Sequence, residues 1–228
     1  MSAPLQITSA GDVTTVTMDD GKVNALSPTM QQALHDALDR VERTGDAVVI
    51  SGREGVFSAG YDLGILDDDP GAFVTSVRTG FELCERLLAF PTPVVIACSG
   101  HAIAAGLFVL LCGDYRIAAS GPFKFTANEA AIGLPIPSGA VEICRQRLSP
   151  AAFNRAIPLA EVFRPDDAVA AGIADRVVEP ADLPAAALEV ATRLRQTLDP
   201  AAHLVAKQRV RAQALAAIRA AVEAELTT

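Results

Sequence analysis

Apolar positions along the chain follow two spacings, and the spacing assigns the elements. Residues 5–9 and 13–18 read as short strands, with Gly11-Asp12 as a hairpin signal between them. Met30, Leu34, Leu38 and Val41 fall on one face at helical spacing. Ser27-Pro28 ahead of them supplies an N-cap and a first-turn proline. AVVI (47–50) and PVVIACSG (93–100) are continuous apolar runs, the pattern of strands buried on both faces. The acidic, Gly-containing stretch 64–71 reads as a loop and 72–90 as a helix. LFVLLCGD (107–114) reads as a helix entered through Ala104-Ala105-Gly106. YRIAA (115–119), FKF (123–125) and 175–178 read as short strands. Helices follow near 138–147, 151–157 and 166–171. From about 181 the pattern is Ala-rich and helical, with a break near Asp199-Pro200. No internal repeat and no flexible linker are visible. Strand alternating with helix predicts an α/β fold with a helical C-terminal part.

Composition narrows the function. The 228 residues suffice for a deep core, and half of them are hydrophobic. Net charge is -8 and the pI is about 4.9, which argues against a nucleic-acid or anionic-membrane surface. Four cysteines (Cys84, Cys98, Cys112, Cys144) form no CxxC pair and the three histidines are scattered, so no metal site is expected. Without a secretory signal pattern, these thiols point to a reducing, cytoplasmic setting. The apolar run 102–112 is too short to span a bilayer.

Two segments share one design. FSAGYDL (57–63) and GHAIAAG (100–106) each end a buried strand in small residues and lead toward a helix. Such places expose backbone N–H groups near a positive helix end. Two of them converging would bind a carbonyl oxygen that gains negative charge. The plainer alternative is a pair of tight turns with close helix–strand packing.

FSAGYDL, GHAIAAG, DYRIAA and TANEAAIGL, in that order, resemble the crotonase (enoyl-CoA hydratase/isomerase) family over about residues 5 to 210. The resemblance implies an α/β crotonase (ClpP-like) spiral of ββα units with two near-perpendicular sheets, and C-terminal helices. On that basis residues 1–175 form the spiral core and 176–228 a helical region of the same unit that makes oligomer contacts. It implies acyl-CoA thioester substrates, no resident cofactor because coenzyme A is part of the substrate, and a homotrimer or dimer of trimers. It places the two oxyanion-hole N–H donors at Tyr61 and Ala105. Lys22 and Ala25, in an early loop, and Ala59 and Phe108 are expected to contact substrate.

Family hydratases use two glutamates. At the first position this chain has Phe108, which can neither accept nor deliver a proton. The second position is filled by Glu129, in the nearly uncharged FTANEAAIGLPIP, where burial should raise its pKa. A solvent-facing loop glutamate is the bland alternative. One carboxylate, an oxyanion hole and an apolar wall resemble the single-glutamate Δ3,Δ2-enoyl-CoA isomerases. The alternatives are a hydratase, with Glu142 as a possible second carboxylate if it points inward, another acyl-CoA hydrolase or decarboxylase, or a degenerate acyl-CoA-binding protein. His101 is read as structural and Asp62 as a helix cap.

Overall fold

The computed structural model describes residues 3–226. Two sheets organise it. The larger runs β1 (Leu5–Ala10), β2 (Val13–Met18), β3 (Ala47–Gly52), β5 (Val94–Cys98), β7 (Tyr115–Ala119) and β9 (Arg176–Val178). Only the β1–β2 pair is antiparallel. The smaller sheet is parallel and holds β4 (Gly55–Ser58), β6 (Gly100–Ile103) and β8 (Phe125–Thr126).

A unit recurs three times. A strand of the large sheet turns a corner into a strand of the small sheet, and a helical segment follows. β3 and β4 lead to α2 (Leu63–Asp68) and α3 (Pro70–Ala89), β5 and β6 to α4 (Ala105–Leu111), and β7 and β8 to a 3₁₀ turn (Glu129–Ile132) and α5 (Ser138–Arg145). This is the ββα spiral expected from the resemblance. It repeats in space without a repeat in sequence, because each unit fills a different part of the core. The corners depend on close backbone approach. A Cβ at Gly52 would lie 2.2 Å from the Val56 carbonyl oxygen, and one at Gly100 would lie 1.9 Å from the Gly55 carbonyl carbon.

AVVI is buried on both faces, as its apolar run predicts. Val48 and Ile50 join the main core with α1 (Pro28–Thr44), α3 and α4. Ala47 and Val49 join a second core, where α8 (Leu183–Thr197) lays Leu183, Ala187 and Val190 across the sheet. The helix α9 (Pro200–Glu225) packs on α3 and α5. Its polar anchor is Asp114, which accepts from Lys207 at 2.7 Å and pairs with Arg211 at 2.9 Å. Arg211 and Arg147 also donate to carbonyls at the C-terminal ends of α3 and α4 (Leu88, Leu111, Gly113), where the helix dipoles favour cations.

Three expectations change. Residues 64–71 are not a loop: α2 forms there, capped by the Asp62 side chain, which accepts from the Gly64 N–H at 3.0 Å. The cap reading of Asp62 holds. β4 and β6, read as strand ends and turns, are the strands of the second sheet. The strand expected at 123–125 begins at Phe125, because only there does the backbone pair with β6 and, across Phe163, with the chain between α6 (Pro150–Ala156) and α7 (Pro165–Ala171). Among the described residues no helix is long and apolar enough to cross a membrane.

Candidate active site

The two small-residue segments meet. Gly60 has a positive φ of 88°, and a Cβ there would lie 3.2 Å from the Ala105 nitrogen and 2.9 Å from the Ile103 carbonyl oxygen. The turn after β4 therefore sits directly on the turn after β6. Ala104, at the start of α4, has φ 50° and ψ -123°, a conformation an L-residue holds only under strain. Its N–H donates to the Thr126 carbonyl at 2.8 Å, and its own carbonyl accepts from Leu107 and Phe108. These bonds engage both backbone groups of Ala104 and leave the Ala105 N–H, at the first position of α4, with no intrahelical acceptor. Among the described residues, neither the Tyr61 nor the Ala105 N–H finds a protein acceptor.

The same Thr126 leads through Ala127 to Asn128 and Glu129, so the strand that pins the second turn also delivers the acid. The Glu129 carbonyl accepts from Leu134 at 3.0 Å and its backbone opens a 3₁₀ turn. Its side chain is 8% exposed and its Oε2 has no hydrogen-bond partner in the protein. Burial raises its pKa above the usual glutamate value, because the charged form loses water and gains no cation.

A cavity of about 340 Å³ takes lining from the first turn, from Glu129 and, on the second turn, from Ala104; Ala105, expected as a donor, is not in its lining. Ala59, Tyr61, Phe108 and Glu129 line it. α3 adds Phe73, Val77 and Phe81, and the loop beyond Glu129 adds Leu134 and Ile136. Phe108 is 2% exposed, so it packs in the core as well as forming the wall. The Tyr61 ring crosses α3 at Gly80, where a Cβ would fall 2.1 Å from the phenol oxygen. Its hydroxyl donates to the Val77 carbonyl at 3.2 Å. Burial, and then Cys84 and Glu129 nearby, hold the phenol well above its ordinary pKa, so it stays neutral.

Other expected residues lie elsewhere. Lys22 and Ala25 do not line the cavity. Their loop is pinned to β4: Asn24, at φ 51°, donates to the Met18 and Phe57 carbonyls, and Ser58 Oγ donates to the Asn24 carbonyl at 2.7 Å. Lys22 is exposed on the outer side of that loop. Glu142 does not line the cavity either; it pairs with Arg145 at 3.0 Å along α5. His101 Nδ1 accepts from the Lys124 N–H at 3.0 Å, and its ring stands edge-on to Phe123, a structural placement.

Sequence reasoning missed three parts of the lining. Phe73, Val77 and Phe81 share a helical face, a spacing that marks a buried stripe but not what it faces. Asn128 lines the cavity with a buried, unpartnered Oδ1. Glu225 and Leu226, at the end of α9, close one side. Glu225 is exposed and accepts from the Ser138 N–H at 3.0 Å. Nothing in the sequence near residue 129 signals a wall from residue 225.

Free N–H groups on two touching turns, and a buried, unpaired carboxylate in an apolar cavity, are the kinds of group that stabilise an enolate and move a proton. The family described as enoyl-CoA hydratase/isomerase matches residues 8–228. A Mycobacterium tuberculosis protein, described as an enoyl-CoA isomerase in one solved structure and as a probable enoyl-CoA hydratase in another, is 45% identical, with a TM-score of 0.93 over 98% of this chain and 97% of that one in the first, and 0.94 over 96% and 93% in the second. An enoyl-CoA hydratase of Mycobacterium ulcerans is 44% identical with a TM-score of 0.93, over 96% of each chain. The human mitochondrial Δ3-Δ2-enoyl-CoA isomerase is 26% identical with a TM-score of 0.91, over 98% of this chain and 89% of that one.

Proposed function

The chain belongs to the enoyl-CoA hydratase/isomerase family, and from that premise we propose that it moves the double bond of a 3-enoyl-CoA thioester to the 2-position with Glu129 as the only proton-transfer group. The N–H groups of Tyr61 and Ala105 receive the thioester oxygen. Glu129 takes a proton from C2, and the electron pair forms a dienolate whose charge rests on that oxygen. The protonated Glu129 returns the proton at C4, and the conjugated 2-enoyl thioester forms. Atoms and charge balance, with coenzyme A carried as part of the substrate and no resident cofactor needed.

The observation that carries this reading is the inventory of carboxylates. Glu129 is the one buried, unpaired carboxylate among the described residues that line the cavity. Phe108 fills a wall where the family's hydratases carry another. Glu225, also in the lining, is exposed and already engaged by Ser138. Water addition at C3 needs a group to take the water's proton while a second proton reaches C2, and the loss of one such partner costs about 10²-fold or more.

The second reading is hydration. The near-equal likeness to the Mycobacterium ulcerans hydratase favours it. The experiment is a comparison within one preparation. Conversion of 3-hexenoyl-CoA, followed by the absorbance of the conjugated thioester, should exceed hydration of crotonyl-CoA by at least about 10²-fold. Equal rates would overturn the isomerase reading in favour of the hydratase.

The chain is further proposed to act in the cytosol as a homotrimer or a pair of trimers. The four buried, unpaired thiols support a reducing setting. Val210 on α9 is 85% exposed, which supports an interface along that helix.

A further inference from the structure

The helix α3 carries a glycine in its middle, where a helix tolerates one poorly. The reason lies across from it. A Cβ at Gly80 would meet the Tyr61 phenol oxygen at 2.1 Å and two carbons of the Tyr61 ring at 2.6 and 2.7 Å. These three nearest atoms all belong to Tyr61. The missing side chain is a notch in the helix, and the phenol ring fills it. The hydroxyl closes the seat by donating to the Val77 carbonyl at 3.2 Å, and the Phe73 ring stands edge-on at 6.2 Å.

Tyr61 needs that seat because its backbone is held on one side only. The Gly60 carbonyl accepts from the Leu26 N–H at 2.8 Å, which grips the Gly60–Tyr61 peptide at its oxygen. Among the described residues, the Tyr61 carbonyl accepts no backbone hydrogen bond, and the next hold along the chain is the side-chain cap of Asp62 on α2. The free N–H of the Gly60–Tyr61 peptide therefore pivots about the Leu26 bond. Where it points depends on the position of the Tyr61 Cα, and a ring seated in one rotamer fixes that position. Gly80 itself does not line the cavity.

We propose that Gly80 is a positioning residue: its missing side chain seats the Tyr61 ring on α3, and the seated ring aims the Tyr61 N–H at the thioester oxygen. This rests on the reading in which that N–H is an oxyanion donor. A Cβ at residue 80 must push the ring away by about 1 Å, since carbon atoms settle at about 3.5 Å or more. Useful donors lie about 2.7 to 3.1 Å from the oxyanion, so a shift of that size passed to the Tyr61 backbone takes the N–H out of range.

The test is a double-mutant cycle of Gly80→Ala and Tyr61→Leu in the full-length protein, read by turnover of 3-hexenoyl-CoA, affinity for butyryl-CoA and Tm. With the ring present, Gly80→Ala should lower kcat by about 10²-fold, the cost of one donor, with butyryl-CoA affinity kept within about threefold. It should also melt below wild type. Tyr61→Leu empties the seat and should lower kcat by about tenfold or more. Leu lacks the atoms that meet the new Cβ, so in that background Gly80→Ala should cost less than about a further threefold in kcat. There it should raise Tm by roughly 1 to 4 °C, the ordinary gain of Ala over Gly inside a helix. A purely helical role for Gly80 would show no such change of sign. Equal losses in the two backgrounds would overturn the proposal. So would a loss confined to butyryl-CoA affinity, because the displaced ring would then be obstructing the cavity with the donor still in place. Should Gly80→Ala alone fail to fold, wild-type kcat in Tyr61→Leu, or a double variant that melts below Tyr61→Leu, overturns it. Turnover of crotonyl-CoA without turnover of 3-hexenoyl-CoA would defeat the isomerase reading alone, and the same cycle is then read on hydration, which needs the same donor.

Discussion

Replacement of Gly60 by Ala tests whether the two turns act as one oxyanion-binding device. The added Cβ would lie 2.9 Å from the Ile103 carbonyl oxygen, 3.0 Å from Ala104 Cβ and 3.2 Å from the Ala105 nitrogen. Carbon atoms settle at about 3.5 Å or more, so the turn bearing Ala105 must retreat by about half an ångström. Useful donors lie about 2.7 to 3.1 Å from the oxyanion, a window narrower than that retreat. One donor is therefore lost, and turnover of 3-hexenoyl-CoA should fall by about 10² to 10³-fold. The positive φ of 88° adds strain of about 1 to 2 kcal/mol, which a chain of this size shows as roughly 2 to 8 °C in Tm. Gly45→Ala separates the two effects. Gly45 has φ 74° and nothing within 4 Å of a Cβ, so it carries the strain without the clash. Gly45→Ala should lose stability and keep turnover. If Gly60→Ala folds and retains more than about a tenth of wild-type turnover, the paired-donor account is wrong.

Three shorter predictions concern ionisation, a buried ion cluster and assembly. Glu129 has a folded-state pKa raised by burial, so its stabilising contribution is present below the unfolded value and is lost as pH rises through the folded one. Glu129→Gln, which cannot ionise, should therefore melt higher than wild type at pH 8, with the gap closing near pH 4. The acid limb of wild-type kcat/KM should lie above 4.5 for the same reason. A gap that grows toward acid would contradict this. Asp114→Asn strands Lys207 and Arg211, whose side chains are 2% and 6% exposed. It should cost about 3 to 5 kcal/mol, roughly 6 to 20 °C in Tm, with activity per folded molecule kept, and a loss under about 1 kcal/mol would refute the anchor. Light scattering at micromolar concentration should report a trimer or hexamer, and a monomer would contradict the proposed interface.

The turns and the acid of the candidate site were easier to read in the sequence than the walls around them. AVVI and PVVIACSG were legible because strands buried on both faces must be apolar throughout. The paired small-residue turns were legible because close backbone approach excludes side chains, and Gly60 and Gly106 are the residues that allow it; a Cβ at Gly106 would lie 2.3 Å from the Ser58 carbonyl oxygen. Glu129 stood out as an isolated acid in an apolar segment. The small sheet was not legible. GVFS and GHAI are too short and too rich in Gly to show alternation, and they become strands only by pairing with each other across the fold. α2 was hidden by its acidic, Gly-containing composition, since its start depends on one cap from Asp62.

Side-chain direction was the other blind spot. Sequence left open whether Glu142 points inward, and it pairs with Arg145 one turn on along α5, outside the cavity lining. Lys22 and Ala25, expected along the coenzyme A through backbone contacts, lie on a loop that the bonds of Asn24 to β2 and β4 hold outside the cavity lining. The closing wall at Glu225 and Leu226 comes from the far end of the chain, and its position depends on α9 docking against α3 and α5. No local pattern encodes a contact of that span.

The central claim is that a single carboxylate carries the proton, and Glu129→Gln tests it most directly. The variant keeps size and hydrogen-bonding capacity and removes the base. Turnover of 3-hexenoyl-CoA is measured beside the affinity for a saturated acyl-CoA in the same preparation. The account predicts a fall in turnover of about 10² to 10⁴-fold with affinity within about threefold of wild type. Retention of more than about a third of wild-type turnover would contradict it, and the proton would then have to be moved by another group.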